Sequence, residues 1–162
     1  KTKDFGLAAL TVIMCAVGVL MFLLPPVPGV PVYLALGIVL PAKGHETIGW
    51  TGSVIYCTFI GLLLKLFSSA LQQKGFGQNL SHYVAVRQFV GINSALMKAM
   101  RIVLQKDGLS IPKVSILIGG PDWPTSVLCG IMKLSLPQIM LGTAPVVFLI
   151  FPTCLSGALL YM

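Results

Sequence analysis

One carboxylate, Asp122, lies within an otherwise apolar stretch of this 162-residue chain. An ionisable group in such a setting is a functional candidate by default, because an unpaired charge is costly to bury. Trp123 and the hydroxyl side chains of Thr125 and Ser126 follow closely. A carboxylate and two hydroxyls at a helix start could couple to a proton, bind a lipid amine or line a polar path for a headgroup. The structural alternative is that Asp122 caps a short helix that starts near Trp123.

Two lysines flank this stretch, Lys113 before it and Lys133 after it. Together with free N–H groups at a helix start, they could attract a lipid phosphate. Features typical of soluble enzymes are missing from the sequence. His45-Glu46 lacks the second histidine of a metal-binding HExxH pattern, and the four cysteines are isolated in apolar segments. We therefore predict no enzyme activity, no metal site and no cofactor.

The composition indicates a membrane protein. Hydrophobic residues make up 56% of the chain and charged residues only 9%, against about 25% charged residues in a soluble domain. The formal net charge is +7, but the chain has no nucleic-acid-binding motif, so basic residues that face anionic lipid are the simpler interpretation. We predict an integral, multi-pass membrane protein without a nucleic-acid partner; an endomembrane and a plastid membrane are both left open.

The stretch around Asp122 repeats an earlier part of the chain. Both copies share two prolines and a glycine at a constant offset of 93 residues: Pro28, Pro31 and Gly37 in the first, and Pro121, Pro124 and Gly130 in the second. Gly29 is the counterpart of Asp122. Corresponding apolar segments that are broken by Gly and Pro in two halves of a membrane chain are the best sequence indication of a transporter-type site.

Hydropathy and charge divide the chain into segments. Residues 5–24 are uncharged and long enough for a transmembrane helix, which needs about 20 residues. After them we predict a re-entrant segment over 25–41, a polar turn over 41–46, a transmembrane helix over 48–64, basic interfacial helices over 79–107, a second re-entrant segment over 114–132 and a transmembrane helix over 134–160. The alternative for 25–41 is a surface loop before an interfacial helix; for 79–107 it is a soluble-type helix packed on the membrane domain.

The basic residues predict a topology. Residues 65–113 contain seven of the eleven basic residues against one acid, Asp107, which favours a cytoplasmic location. With the amino terminus also inside, the two re-entrant segments enter from opposite faces, as in inverted-repeat transporters. The expected fold is an all-α integral membrane protein, with an inverted repeat of a re-entrant helical hairpin plus a transmembrane helix, joined by basic amphipathic helices.

The chain resembles the DedA/VTT-domain (SNARE-associated Golgi protein) superfamily in the motifs Pro28-Gly29 with Gly37, and Pro121-Asp122-Trp123-Pro124 followed by Leu141-Gly142-Thr143 and Pro145. The resemblance covers residues 20–160. It implies two opposed re-entrant helices and the movement of phospholipids or polyprenyl-phosphate lipids between leaflets. The family often has an arginine shortly before the second Pro-x-x-Pro. Here Gly119-Gly120 occupy that region and Lys113 is the nearest upstream cation, which puts phosphate binding in doubt.

The predicted function is lipid transport or scrambling, with the headgroup passing between two opposed re-entrant segments. Five residues are predicted to line the lipid path: Lys113, Asp122, Trp123, Thr125 and Ser126. The predicted partners are membrane lipids, anionic headgroups at the basic stretch 65–113 and other membrane subunits. The alternative function is that of a structural subunit of a larger membrane complex, binding lipid or pigment, without transport activity.

Overall fold

The computed structural model describes residues 6–24, 27–79 and 82–161, among which there is no strand. The all-α class is therefore confirmed for these residues. Phe5, Pro25, Pro26 and residues 80–81, which the predicted segments include, lie outside the described residues. The helices are Leu7–Leu23 (α1), Gly29–Leu71 (α2), Gln72–Gln78 (a π-helix), Val84–Val90 (α3), Ala95–Leu104 (α4), Ile111–Gly119 (α5), Asp122–Ile131 (α6), Leu136–Thr143 (α7), Ala144–Val146 (a 3-10 turn) and Val147–Tyr161 (α8).

Two of the continuous helical stretches are long and apolar enough to cross a membrane. They are Gly29–Gln78, with 50 residues, and Leu136–Leu160, with 25 residues. The predicted transmembrane helices over 48–64 and 134–160 lie within them or overlap them closely. Helix α1 is apolar but has only 17 residues.

The chain folds as two compact units. Unit 1 consists of Lys1–Lys65 and Val146–Met162, and unit 2 consists of Leu66–Pro145. Helices α1 and α8 and most of α2 thus belong to unit 1. Unit 2 contains the end of α2, the π-helix and helices α3 to α7.

Helix α2 consists of two arms, 29–48 and 50–71, that meet at Gly49. Gly49 has φ 71° and ψ 169°, a conformation that is essentially restricted to glycine. The arms form an antiparallel hairpin, because a Cβ on Gly44 would lie 2.7 Å from the Ser53 hydroxyl. The first arm spans about 30 Å at about 1.5 Å per residue, which is long enough to cross a bilayer. A re-entrant path for 25–41 stays a prediction.

The predicted polar turn over 41–46 is wrong, because these residues are helical and the chain turns only at Gly49. Pro41 lies inside the helix, where its missing N–H removes one hydrogen bond without ending the helix. The polar residues here are satisfied within the helix itself. A nitrogen of His45 lies 3.1 Å from the carbonyl oxygen of Pro41, and Lys43 donates to Glu46 at 2.7 Å.

Helices in unit 1 approach closely at glycines. A Cβ on Gly157 of α8 would lie 2.5 Å from the carbonyl oxygen of Leu34, and a Cβ on Gly37 would lie 2.7 Å from the Cα of Cys154. These neighbours are backbone atoms, which cannot rotate away. Small residues at such contacts are a common means of packing helices in membranes.

Lys65 lies near the end of the predicted helix over 48–64, where a lysine would be expected to extend to the membrane interface. Instead its side chain is buried, at 3% exposure. The ammonium lies 5.5 Å from the centre of the Phe22 ring, a distance typical of a cation–π contact. Lys65 is therefore part of the interior of unit 1.

Candidate functional site

Helices α5 and α6 form a short hairpin in unit 2. They contain 9 and 10 residues, so each arm is about 14–15 Å long at about 1.5 Å per residue. That is half of a hydrocarbon core of about 30 Å. The tip consists of Gly119, Gly120 and Pro121. At the base, Lys113 lies close enough to Cys129 to interact with it electrostatically.

Helix α6 begins at Asp122, one residue before Trp123. Pro124 is the third helical residue, and the first helical hydrogen bond runs from the N–H of Thr125 to the carbonyl of Pro121 at 3.0 Å. Proline is tolerated in a first turn because N–H groups there have no helical partner. The first copy starts in the same way: α2 begins at Gly29, the counterpart of Asp122, and Pro31 is its third residue.

The glycines of the two copies also have equivalent roles. A Cβ on Gly130 would lie 2.6 Å from the Cα of Gly77 in the π-helix, and a Cβ on Gly77 would lie 2.6 Å from the carbonyl oxygen of Val127. Each unit therefore contains one close backbone contact between two glycines, Gly37 with Gly157 and Gly77 with Gly130. The residues that the two copies share therefore lie at helix starts and at close helix contacts.

The two copies differ beyond these glycines. Helix α6 ends at Ile131, where Lys133 adopts a positive φ of 53°. The N–H groups of Lys133 and Leu134 bond to the carbonyls of Gly130 and Cys129, at 2.9 and 3.0 Å, which is the Schellman pattern of a helix end. The first copy has no stop at this position and continues to residue 48. Only the second copy therefore has a hairpin of half-bilayer length.

The structure brings four of the predicted site residues together in the first turns of α6. Asp122 is half-buried and is the first helical residue of α6, so Pro121 rather than Asp122 occupies the N-cap position. As an acid in the first turn it is still favourable for the helix dipole. Trp123 is buried, with its ring centre 5.8 Å from that of Phe76. Thr125 and Ser126 are also buried.

The environment of Thr125 differs from that of Trp123. Thr125 lies close to the hairpin tip, since its hydroxyl would lie 2.9 Å from a Cβ on Gly120. Among the described residues this hydroxyl has no hydrogen-bond partner. A buried hydroxyl without a partner costs about 1–3 kcal/mol, so it is available to a polar group that enters unit 2.

Lys113 does not join the other predicted site residues. Its side chain is only 1% exposed, and its ammonium donates to the carbonyls of Lys106 and Gly108 at 2.8 and 3.2 Å. Lys113 is the third residue of α5, at the end of the hairpin away from its tip. Lys113 therefore fastens the connection between α4 and α5.

A buried polar face on the end of α2 and the π-helix was not predicted. Its members are Ser68, Ser69, Gln72 and Gln73, each with 3% exposure or less. On the opposite side, Phe67 and Leu71 are 57% and 37% exposed. We call these four polar residues the polar face of unit 2. Their spacing, with two neighbours repeated four residues later, marks one side of a helix and could have been recognised in the sequence.

Part of the polar face retains hydrogen-bonding capacity. The side-chain amide of Gln73 donates to the carbonyl of Leu134 at 2.8 Å. Its carbonyl oxygen and the hydroxyl of Ser68 have no partner among the described residues. The face continues into a π-helix, a form that occurs frequently at functional sites.

Unit 2 thus places a carboxylate at a hairpin tip, and buried hydroxyl and amide groups with unused hydrogen-bonding capacity in the same compact unit. This arrangement can accept hydrogen bonds from a polar group and can interact with a cation. Comparison of the chain with protein-family models, curated proteins and solved structures found no match.

Proposed function

We propose that this chain is an integral membrane protein that lets lipid headgroups cross the bilayer, as its resemblance to the DedA/VTT-domain superfamily implies. The polar path is assigned to unit 2. The observation that carries the proposal is the reversed polarity around the end of α2, where Phe67 and Leu71 are exposed while Ser68 and Gln73 are buried. Water as the surrounding solvent would favour the opposite arrangement. A lipid surrounding favours the one observed.

The hairpin of α5 and α6 supports the same proposal. If its base lies at the headgroup level, arms of about 15 Å bring the tip near the bilayer midplane. Asp122 then lies where a headgroup has lost most of its water. Non-helical backbone at such depth requires protein or a polar cavity around it, and the buried polar groups of unit 2 fit that requirement.

In this mechanism the path lowers the cost of moving a headgroup through hydrocarbon. The oxygens of Ser68, Gln73 and Thr125 accept hydrogen bonds that the headgroup would otherwise lose with its water. Asp122 interacts with a headgroup amine. Each hydrogen bond is worth about 0.5–1.5 kcal/mol, so the removal of one accepting group should slow transport about 2–13-fold.

The test is lipid scrambling by the purified chain in liposomes, measured as the reduction of a fluorescent lipid by an impermeant reductant. We expect the unaltered protein to expose inner-leaflet lipid and Gln73→Leu to slow this exposure. Ser68→Ala should also slow it. The matched control is Ser156→Ala, because Ser156 is exposed on α8 and bonds only to the carbonyl of Pro152.

Two results would contradict the proposal. The first is an unaltered, correctly folded protein that leaves every lipid tested in its original leaflet, a result that favours the structural-subunit alternative. The second is equal transport by Ser68→Ala, Gln73→Leu and Ser156→Ala, which would place the path outside unit 2.

A further inference from the structure

Helix α4 packs on unit 2 through a different face from the one that its sequence predicts. Leu96, Met100 and Val103 are spaced as one apolar face. In the structure the buried residues are Met97, Met100 and Leu104. With about 100° between successive residues, the buried face is rotated about 70° from the predicted one. As a result Leu96 faces outward, at 61% exposure.

The outward surface of α4 has two distinct flanks. One is basic and contains Lys98 and Arg101, both exposed. The other is apolar and contains Leu96 and Ile102, the latter 66% exposed. Among the residues that the structure describes, neither Lys98 nor Arg101 takes part in a salt bridge. We call these four residues the α4 rim.

The same division continues at the base of the α5–α6 hairpin. Lys106 is exposed just after α4. Leu109 and Ile111 follow, with 47% and 84% exposure. Asp107 is the only acid between α4 and α5. A surface with adjacent positive and apolar parts matches the boundary between anionic headgroups and acyl chains, where both parts are satisfied at once.

We propose that the α4 rim docks into the headgroup region of an anionic leaflet. Leu96 and Ile102 enter the acyl-chain boundary, and Lys98 and Arg101 contact lipid phosphates. The inference rests on the membrane location in the proposed function and is independent of lipid transport. It fixes the hairpin base at the headgroup level, and hence Asp122 about 15 Å deeper.

The test uses the full chain in vesicles, with a polarity-sensitive fluorophore on Ile102→Cys or on Gln105→Cys, an exposed position beside the basic flank. The unsubstituted chain, labelled in the same way, measures the background from the native cysteines. In vesicles of phosphatidylglycerol and phosphatidylcholine, a lipid-borne quencher near the acyl-chain boundary should quench the label at 102 about twofold more than the label at 105. An aqueous quencher should quench the label at 105 more than the label at 102.

Charge dependence is tested on the same labelled protein. Lys98→Gln with Arg101→Gln should lower the equilibrium constant for docking, measured at 102, by about fivefold per charge in anionic vesicles. It should have no effect in pure phosphatidylcholine. The control is Lys43→Gln, because Lys43 is a cation of unit 1 that is paired with Glu46.

Equal lipid quenching at 102 and 105 would overturn the inference. So would a docked fraction that changes neither with the charge substitutions nor with the phosphatidylglycerol content of the vesicles. A label at 102 that neither quencher reaches would show that protein covers the rim, which also overturns it. A protein that docks in this way but does not scramble lipids would leave this inference intact and refute the proposed transport. A protein that scrambles lipids but does not dock in this way would support the proposed transport and refute this inference.

Discussion

The contact between Gly37 and α8 gives the most direct test of the packing in unit 1. In Gly37→Ala the new Cβ would lie 2.7 Å from the Cα of Cys154, about 1 Å closer than the carbon–carbon optimum of about 3.5–4.0 Å. Because the obstacle is backbone, the helices must separate by about that distance. A gap of this size forfeits about a quarter to a half of the dispersion energy of each contact that it opens.

We expect Gly37→Ala to destabilise the protein by about 1–3 kcal/mol, the usual cost of overpacking a well-packed core. For a chain of this length, the midpoint of thermal unfolding should fall by about 2–12 °C. The measurement is the loss of the monodisperse peak in size-exclusion chromatography after heating in detergent. The matched control is Gly52→Ala in the second arm of α2, where the added Cβ would make an ordinary contact of 3.5 Å with Ile48.

The control should change stability in the opposite direction. Alanine has the higher helix propensity, and Gly52→Ala should stabilise the chain by about 0.4–1 kcal/mol. Gly130→Ala should resemble Gly37→Ala, because its Cβ would lie 2.6 Å from the Cα of Gly77. Equal midpoints for Gly37→Ala and Gly52→Ala would refute the close approach of α2 and α8.

Three further substitutions test individual backbone and side-chain features by the same thermal assay. Gly49→Ala should destabilise by about 1–3 kcal/mol despite the open space around it, because φ 71° and ψ 169° exclude a Cβ; an unchanged midpoint would contradict the turn between the two arms. Lys133→Gly should stabilise the protein by about 1 kcal/mol, since glycine adopts the positive φ of 53° without strain. A loss of stability would mean that contacts of the lysine side chain stabilise the fold by more than this backbone strain destabilises it. Lys113→Met should destabilise by about 1–3 kcal/mol, since the carbonyls of Lys106 and Gly108 lose their donor, and a neutral effect would show that water replaces it.

The sequence predicted well those features that depend on local rules. Proline in a first turn and glycine at a close contact are properties of a few neighbouring residues. The offset of 93 residues pairs Pro28 with Pro121 and Gly37 with Gly130. In the structure the prolines directly precede the first residues of α2 and α6, and the glycines lie at close backbone contacts. The apolar composition likewise predicted the all-helical class, since a chain in lipid must satisfy its backbone hydrogen bonds internally.

Features that depend on tertiary packing were predicted less well. Pro41 and the polar residues after it are typical of a turn, yet the helix continues past them because His45 and Glu46 find partners inside the helix. Lys65 would be expected to extend to the interface and Lys113 was predicted to line the lipid path, but Lys65 contacts an aromatic ring and Lys113 bonds to two carbonyls.

The difference between the two copies bears on the proposed mechanism. An inverted repeat with two equivalent re-entrant hairpins would require both copies to stop after about ten residues, half of the length that spans the core. Lys133 ends the second copy in this way, with a positive φ. The corresponding residues of the first copy lie inside a helix that continues to residue 48. The shared residues therefore lie where the helices start and touch, while the helix end sets the length of the hairpin. The polar path that we propose accordingly depends on unit 2, and residues 29–48 need only form a spanning arm.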